Sequence, residues 1–302
     1  MAKRFEIETP SRVKEYLTDT LRLSSKFITY LKKREDGILL NGVRVTVRAT
    51  MTRGDVLSLA LDEDAENPGI VPTKLPLSIL YEDEDIIAVN KPYGMPTHPS
   101  QGHFSDTLAN AVAYYYKEKA RPFVFRAVNR LDGDTSGVVL IAKNRRAASL
   151  LSDALRERRV EKTYLALLSA IPEKSASRIT SYIRRTKGSV LMRESLAEKT
   201  DGADYAETDY RVIGTGDGVA LAEVKPKTGR THQIRVHMKS IGCPLLGDYL
   251  YGKGEGFHRQ ALHASTLAFS HPTSGERITV TAELPDDMRE YIAKYVNCNL
   301  QK

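Results

Sequence analysis

The 302-residue sequence predicts an α+β protein: a small N-terminal unit, then a larger part built on a mixed, largely antiparallel β-sheet flanked by helices. Three observations carry this. Short β-prone segments joined by short links recur from residue 38 to residue 281. Segments with helical spacing interrupt them irregularly instead of alternating with them one for one. An acidic, proline-containing stretch, Asp62 to Pro76, breaks all periodicity and reads as a connector between residues 1–61 and residues 77–302.

In the N-terminal unit, Val13, Tyr16, Leu17 and Leu21 share a helix face, as do Phe27, Ile28 and Leu31. Ser24 is placed to cap the second helix, and Gly37 closes it after a charged turn. Ile38–Leu40 and Val43–Val47 flank Asn41-Gly42, a dipeptide that favours a tight hairpin turn, and Val56–Leu61 follows as a further strand. In the larger part, Ser78–Tyr81 and Ile86–Val89 suggest a hairpin, and Asp106–Lys119 a helix. Phe123–Val128 and Val138–Ala142 read as strands around a glycine-containing loop, and Arg145–Arg159 as an amphipathic helix with Ala148, Leu151 and Leu155 on one side. Strands are then expected at Thr163–Leu168, Ala203–Ile213 and Val219–Val224, and a helix at Thr231–Ile241. Late strands at Leu262–Phe269 and Arg277–Thr281 precede a helix from Asp286.

Composition bounds the function. The chain is 41% hydrophobic and 27% charged, ordinary for a globular protein, and no window approaches the roughly 18 apolar residues of a membrane span. A charged N-terminus without an apolar core points to the cytosol, and no dimer seam is visible, so a monomer is expected. Two distant cysteines, Cys243 and Cys298, argue against a disulfide framework or a thiolate zinc site and read as reduced structural thiols. The net charge of +7 favours a polyanionic partner. Its distribution sharpens that reading: Lys225, Lys227, Arg230, Arg235 and Lys239 lie in residues 225–239 with no acid among them. A second basic stretch runs from Arg145 through Lys162.

Two segments carry chemistry. Val128-Asn129-Arg130-Leu131-Asp132-Gly133-Asp134-Thr135-Ser136-Gly137 places carboxylates and hydroxyls on a loop held between apolar strands, a natural seat for a catalytic carboxylate, although Asp and Gly also suit an ordinary surface turn. Lys227 to Met238 reads as a strand-to-helix junction with Thr231 as cap, free N–H groups beside Lys227 and Arg230 for a phosphate, and Arg235 on the Thr231 face. A basic, solvated helix start fits the same residues. His232 and His237, five apart, fall on different faces, so no metal is expected.

The string NRLDGDTSG followed by VVLIAKN resembles the catalytic loop of the RluA-type ribosomal large-subunit pseudouridine synthases, and KTGRTHQIRVHM resembles the same family's downstream arginine motif. YEDEDIIAVNKPYGMPTHP at 81–99, EKTYLAL at 161–167 and ALHASTLAFSHPTSGE at 261–276 match further family elements in order. Residues 22–60 resemble the small alpha-L RNA-binding domain named after a ribosomal protein.

The resemblance implies a pseudouridine synthase fold and the isomerisation of uridine in structured RNA, most simply large-subunit ribosomal RNA and alternatively transfer RNA, without a cofactor. It makes Asp132 the essential carboxylate, acting by covalent attack or by proton removal, with Arg235 as its partner and Tyr164 against the target base. Leu262 would wall the base, Arg130 and Arg230 would contact RNA, and Lys26 and Lys33, with Lys32 and Arg34, would add affinity from the N-terminal unit. The chain departs from the pattern at Asn129, where the family's most familiar loop has histidine; an amide cannot carry a proton at neutral pH. It also departs at Gly133, where longer side chains are common and one RNA contact is lost. Two other classes compete. A non-catalytic RNA-binding factor would be favoured only if Asp132 or Arg235 were missing, and a glycoside hydrolase would need two carboxylates flanking the scissile bond.

Overall fold

A computed structural model describes residues 3–21, 23, 25–60 and 69–297. The Ser24 cap, the Lys26 side chain, residues 61–68 of the last N-terminal strand and connector, and Cys298 lie outside the described residues.

Residues 3–60 carry their own sheet and core. The elements are β1 (Lys3–Glu6), β2 (Ser11–Arg12), α1 (Val13–Glu15) continuing as a wide π turn (Tyr16–Thr20), α2 (Ser25–Lys33), β3 (Ile38–Leu40), β4 (Val43–Arg44), β5 (Thr50–Met51) and β6 (Val56–Leu59). The expected helical face at Val13, Tyr16, Leu17 and Leu21 is thus wound wider than an α-helix, and Leu21 N–H closes it on the Tyr16 carbonyl at 2.9 Å. Four strands pair in the order β1-β6-β3-β4. Asn41 and Gly42 both take positive φ, 51° and 83°, as the two-residue turn requires. Beyond it β4 ends at Arg44, well short of Val47. Gly37 follows α2 because a Cβ there would lie 1.9 Å from the Leu31 carbonyl oxygen. Val13, Leu17, Leu31, Ile38, Met51 and Leu57 fill the core under the sheet.

The larger part comprises β7 (Ser78–Glu82), β8 (Ile86–Lys91), α3 (Leu108–Glu118), β9 (Arg126–Ala127), β10 (Ser136–Ala142), α4 (Arg145–Arg156), β11 (Glu161–Leu168), β12 (Ala176–Arg185), β13 (Arg193–Leu196), β14 (Asp204–Gly216), β15 (Val219–Pro226), α5 (Gln233–Ser240), β16 (Leu262–Ser270), β17 (Arg277–Thr281) and α6 (Asp286–Tyr295). Eleven strands form one sheet in the order β13-β12-β14-β15-β11-β16-β10-β8-β7, with β17 beside β16 and β9 beside β10. Among the described pairings β10 and β16 are parallel and the rest antiparallel, so the sheet is mixed and largely antiparallel, as the sequence predicts.

Helices cover both faces, which explains why β8 and β10 read as continuous apolar runs. Ile86, Ala88, Val138 and Leu140 pack against Ala147, Leu151 and Ala154 of α4. Ile87, Val89, Val139 and Ile141, pointing the other way, pack against Leu108, Val112 and Tyr116 of α3. Both helices begin on side-chain caps: Thr107 accepts from Asn110 N–H, and Asn144 from Ala147 N–H. Further along the sheet, Ile234 and Met238 of α5 pack on Ala166, Ala222 and Val224. Met288 and Ile292 of α6 pack on Leu167 and Leu221.

Two local expectations fail, and two strands are unanticipated. Phe123–Val128 forms a strand only at β9; Phe123 instead stacks on Tyr116 at 4.1 Å, and Phe125 packs against His98, so the first half of the segment is held by rings and only the second half by a ladder with β10. Strands β12 and β13 carry no signal of their own, because a strand half exposed to water shows basic and polar side chains on its outer face. The helix expected from Thr231 begins at Gln233.

Gly137 sets the seat of the 129–135 loop. It lies opposite Ala264 where β10 and β16 run parallel, with φ 114°, and a Cβ would sit 2.2 Å from the Ala264 carbonyl oxygen. Only glycine allows that backbone approach.

Candidate active site

The 129–135 loop is pinned by buried groups from remote segments. Thr97 Oγ1 donates to the Leu131 carbonyl at 2.9 Å and accepts Leu131 N–H at 3.2 Å. Lys91, fully buried at the end of β8, donates from Nζ to the carbonyls of Pro92, Met95 and Gly133 at 2.8, 2.6 and 2.9 Å. Burial draws its pKa down to about 7, with the Asp132 and Asp134 charges opposing. Arg259 forks onto Asp287 at 2.7 and 3.0 Å and donates to the Asp134 carbonyl at 3.1 Å. Asn129 behaves as a strand neighbour: its amide donates to the Val138 carbonyl at 3.0 Å and accepts Leu140 N–H at 2.8 Å. Both bonds are made by an amide without a titratable proton, so the departure from histidine is absorbed by the backbone of β10. Gly133 faces open space, leaving room for a side chain this sequence lacks.

So held, Asp132 projects into a cleft of about 890 Å³. Arg235 Nη1 meets its Oδ2 at 3.2 Å, and His232 Nε2 lies 3.8 Å from the same oxygen. Arg235 is itself buried and forks onto the fully buried Asp248 at 2.8 and 2.8 Å. These carboxylates hold its pKa above the ordinary arginine value against the opposing effect of burial. Tyr164 of β11 is half-buried and lines the same cleft; desolvation of its hydroxyl, then the Asp132 charge, push its pKa up. Leu262, buried at the start of β16, forms part of the wall.

Cations crowd the opening. Arg130, Arg156, Arg158, Lys162, Lys227 and Arg230 line the cleft together with Arg235, against the single carboxylate of Asp132 among the described residues. Arg130 is exposed on the rim. Arg230 is exposed as well and pairs with Asp204 at 3.3 Å. Lys162 donates to the Thr228 carbonyl at 3.0 Å, and burial lowers its pKa to about 8. Such a cleft concentrates polyanions. Lys33 is exposed at the end of α2 and is not among the residues lining it.

The start of α5 corrects the expectation of an open phosphate seat. Thr231 does not cap the helix and lies outside it, so it shares no helix face with Arg235. His232 stands at the cap position in left-handed conformation, φ 58° and ψ 18°, and makes no capping bond. Gln233 closes the junction instead. It accepts Arg230 N–H at 3.0 Å and the Thr228 hydroxyl at 2.7 Å, donates to the Glu207 carbonyl at 2.9 Å, and its own N–H bonds the Arg230 carbonyl at 3.1 Å. An amide side chain therefore occupies donors that an anion would need.

Sequence reasoning missed Lys91, Asp248 and the place of His232. Lys91 ends an apolar run buried on both faces, a position where an unpaired lysine is rarely tolerated, and that was the available signal. Asp248 sits in an ordinary Gly-Asp-Tyr turn, and nothing local marks it.

His237 lies one helical turn from the cleft, fully buried, with Nδ1 2.8 Å from Thr208 Oγ1 and Nε2 3.0 Å from Ser181 Oγ. Burial depresses its pKa to about 4. Between that value and the unfolded value of about 6.5 the unfolded chain binds the extra proton, so stability from this residue is full above about 6.5 and falls as pH drops toward 4. The loss expected is roughly 3 kcal/mol at most. Urea titrations of wild type and His237→Gln at pH 7 and pH 4.5 check it: the variant should lose less stability on acidification, and equal losses would refute the assignment.

The RNA pseudouridylate synthase family profile matches residues 85–240, which span the loop, Tyr164 and Arg235. The chain is 35% identical over 281 residues to the uncharacterized RNA pseudouridine synthase YjbO of Bacillus subtilis, covering 93% of this chain and 98% of that one. It is 38% identical over 236 residues to ribosomal large subunit pseudouridine synthase D of Zymomonas mobilis, covering 72% of each. The solved structure of human RNA pseudouridylate synthase domain containing 1 superposes with a TM-score of 0.61 at 31% identity, covering 78% of this chain and 94% of that one. A family profile matched over half of the chain, relatives at 35% and 38% identity and the fold shared with the human protein place the chain in the RNA pseudouridylate synthase family, of the RluA type, as an enzyme that isomerises uridine in RNA.

Proposed function

We propose that the enzyme acts on specific uridines of structured large-subunit ribosomal RNA, with Asp132 as the essential carboxylate. The observation that carries this reading is the placement of Asp132 as, among the described residues, the single carboxylate lining a cleft with seven lysine and arginine side chains, among them Arg130, Lys162, Arg230 and Arg235. A uridine inside a stem cannot reach Asp132, so the target is flipped into the cleft, at a cost of a few kcal/mol of stacking. Cations on the rim offset that cost by holding the flanking phosphates. Within the cleft, Arg235 orients Asp132, Tyr164 lies against the base, and Leu262 closes the apolar side. The anion then either attacks the nucleoside covalently or removes a sugar proton. The N1–C1′ bond breaks, the base turns, C5 bonds to C1′, and C5 gives up its proton while N1 takes one, with any proton removed from the sugar returned, so that the product is an isomer. Names of relatives such as the Zymomonas mobilis enzyme favour the large-subunit target over transfer RNA.

The test is pseudouridine mapping on unmodified ribosomal and transfer RNA treated with the purified protein. New pseudouridine at discrete large-subunit positions is expected; sites in transfer RNA alone would overturn the ribosomal assignment.

Residues 3–60, with their own core and the exposed Lys32 and Lys33, are proposed to serve as an alpha-L RNA-binding domain that tethers the substrate. A chain beginning at residue 69 should bind long RNA more weakly, with a shallower salt dependence, yet still turn over a short hairpin. Unchanged affinity across a salt series would refute the tether.

A further inference from the structure

We propose that His232 is a positioning residue for Asp132, holding Oδ2 together with Arg235 so that Oδ1 is the oxygen presented to the nucleotide. The inference rests on the reading of Asp132 as the essential carboxylate.

The geometry is one-sided. Arg235 Nη1 and His232 Nε2 both approach Oδ2, at 3.2 and 3.8 Å, whereas Oδ1 has no protein partner among the described residues. The longer distance exceeds a hydrogen bond, but catalytic hydrogen bonds commonly shorten once substrate fills the site.

His232 is held for this task by its far edge. Its Nδ1 lies 2.8 Å from the Tyr251 hydroxyl, and the two rings meet edge to face at 5.6 Å. The Tyr251 hydroxyl accepts Arg193 N–H at 2.7 Å, which leaves the hydroxyl proton for Nδ1. An imidazole that accepts at Nδ1 carries its proton on Nε2, the nitrogen aimed at Asp132. The charged neighbours are Asp132 and Asp248 on one account and Arg235 and Arg193 on the other, and burial lowers the ring's pKa, so the neutral ring is favoured. The backbone adds a second sign. His232 is left-handed at φ 58°, a conformation uncommon for a residue that is not glycine, and such residues cluster where a side chain must be aimed.

Two substitutions separate aim from architecture. The Gln amide nitrogen reproduces Nε2, whereas Asn reproduces Nδ1 and is also at ease in left-handed backbone. His232→Asn should therefore fold and keep the Tyr251 contact, yet lose about tenfold or more in kcat with KM within about twofold, the low end of what a hydrogen bond to a carboxylate contributes. His232→Gln should recover most of that loss. The assay is steady-state pseudouridine formation by the full-length protein on an RNA that the wild type modifies, with Asp132→Asn beside it. Wild-type kcat in His232→Asn, or equal losses in both variants, would overturn the inference while Asp132→Asn remains inactive. Activity retained in Asp132→Asn would instead overturn the underlying reading of Asp132 and remove the basis for His232 with it.

Discussion

Asp132→Asn is expected to reduce pseudouridine formation by at least about 10³-fold, since a positioned carboxylate that attacks or removes a proton contributes on that scale. The amide is nearly isosteric but carries no negative charge and is a poor base. Stability should change little, because Arg235 does not depend on Asp132 for its counter-charge: Asp248 holds it through two 2.8 Å bonds. Asp132 is also partly open to solvent, with 29% of its side chain exposed, so little buried surface is disturbed. Mapping on target RNA together with a melting curve checks both halves. Residual activity within tenfold of wild type would refute a chemical role for this side chain.

Asp248→Ala is expected to have the opposite profile, a large loss of stability with activity lost as a consequence. Asp248 is fully buried, forks onto Arg235, and accepts the N–H groups of Leu250 and Tyr251 at 3.0 and 3.1 Å. Removing it leaves a guanidinium with 3% side-chain exposure facing only Asp132. Breaking one partner of such a pair costs about 3–5 kcal/mol, because the remaining buried charge keeps only the partly exposed Asp132 to compensate it. Arg235 would then turn toward Asp132 as its sole counter-charge and draw the carboxylate out of place. Urea denaturation of both proteins measures the first effect, and a loss below about 1 kcal/mol would show that the site relaxes or hydrates instead.

The two variants separate what each carboxylate does for Arg235. Asp248 neutralises it within the fold; Asp132 is what Arg235 holds. A single arginine therefore links the 129–135 loop to the 247–251 turn across residues that are far apart in sequence.

Periodicity and turn chemistry act within a few residues, and at that range the sequence was legible. Asn41-Gly42 specified its hairpin because its two positions need positive φ, and the apolar runs of β8 and β10 specified strands. The α3 and α4 segments were readable from helical spacing, and the loop bearing Asp132 was readable because a polar, glycine-containing segment interrupts two apolar ones. The ordered motifs named the family. What the tertiary structure alone decided has a common physical cause: it depends on contacts between residues distant in the chain. The polar, half-exposed β12 becomes a strand only because β14 offers it a ladder. Thr231 loses the cap position because Gln233 finds partners at Glu207 and Thr208 on β14. Asp248 and Lys91 acquire their places only when the sheet brings a buried guanidinium to one and three carbonyls to the other, since a buried charge must be paired wherever the fold supplies the partner.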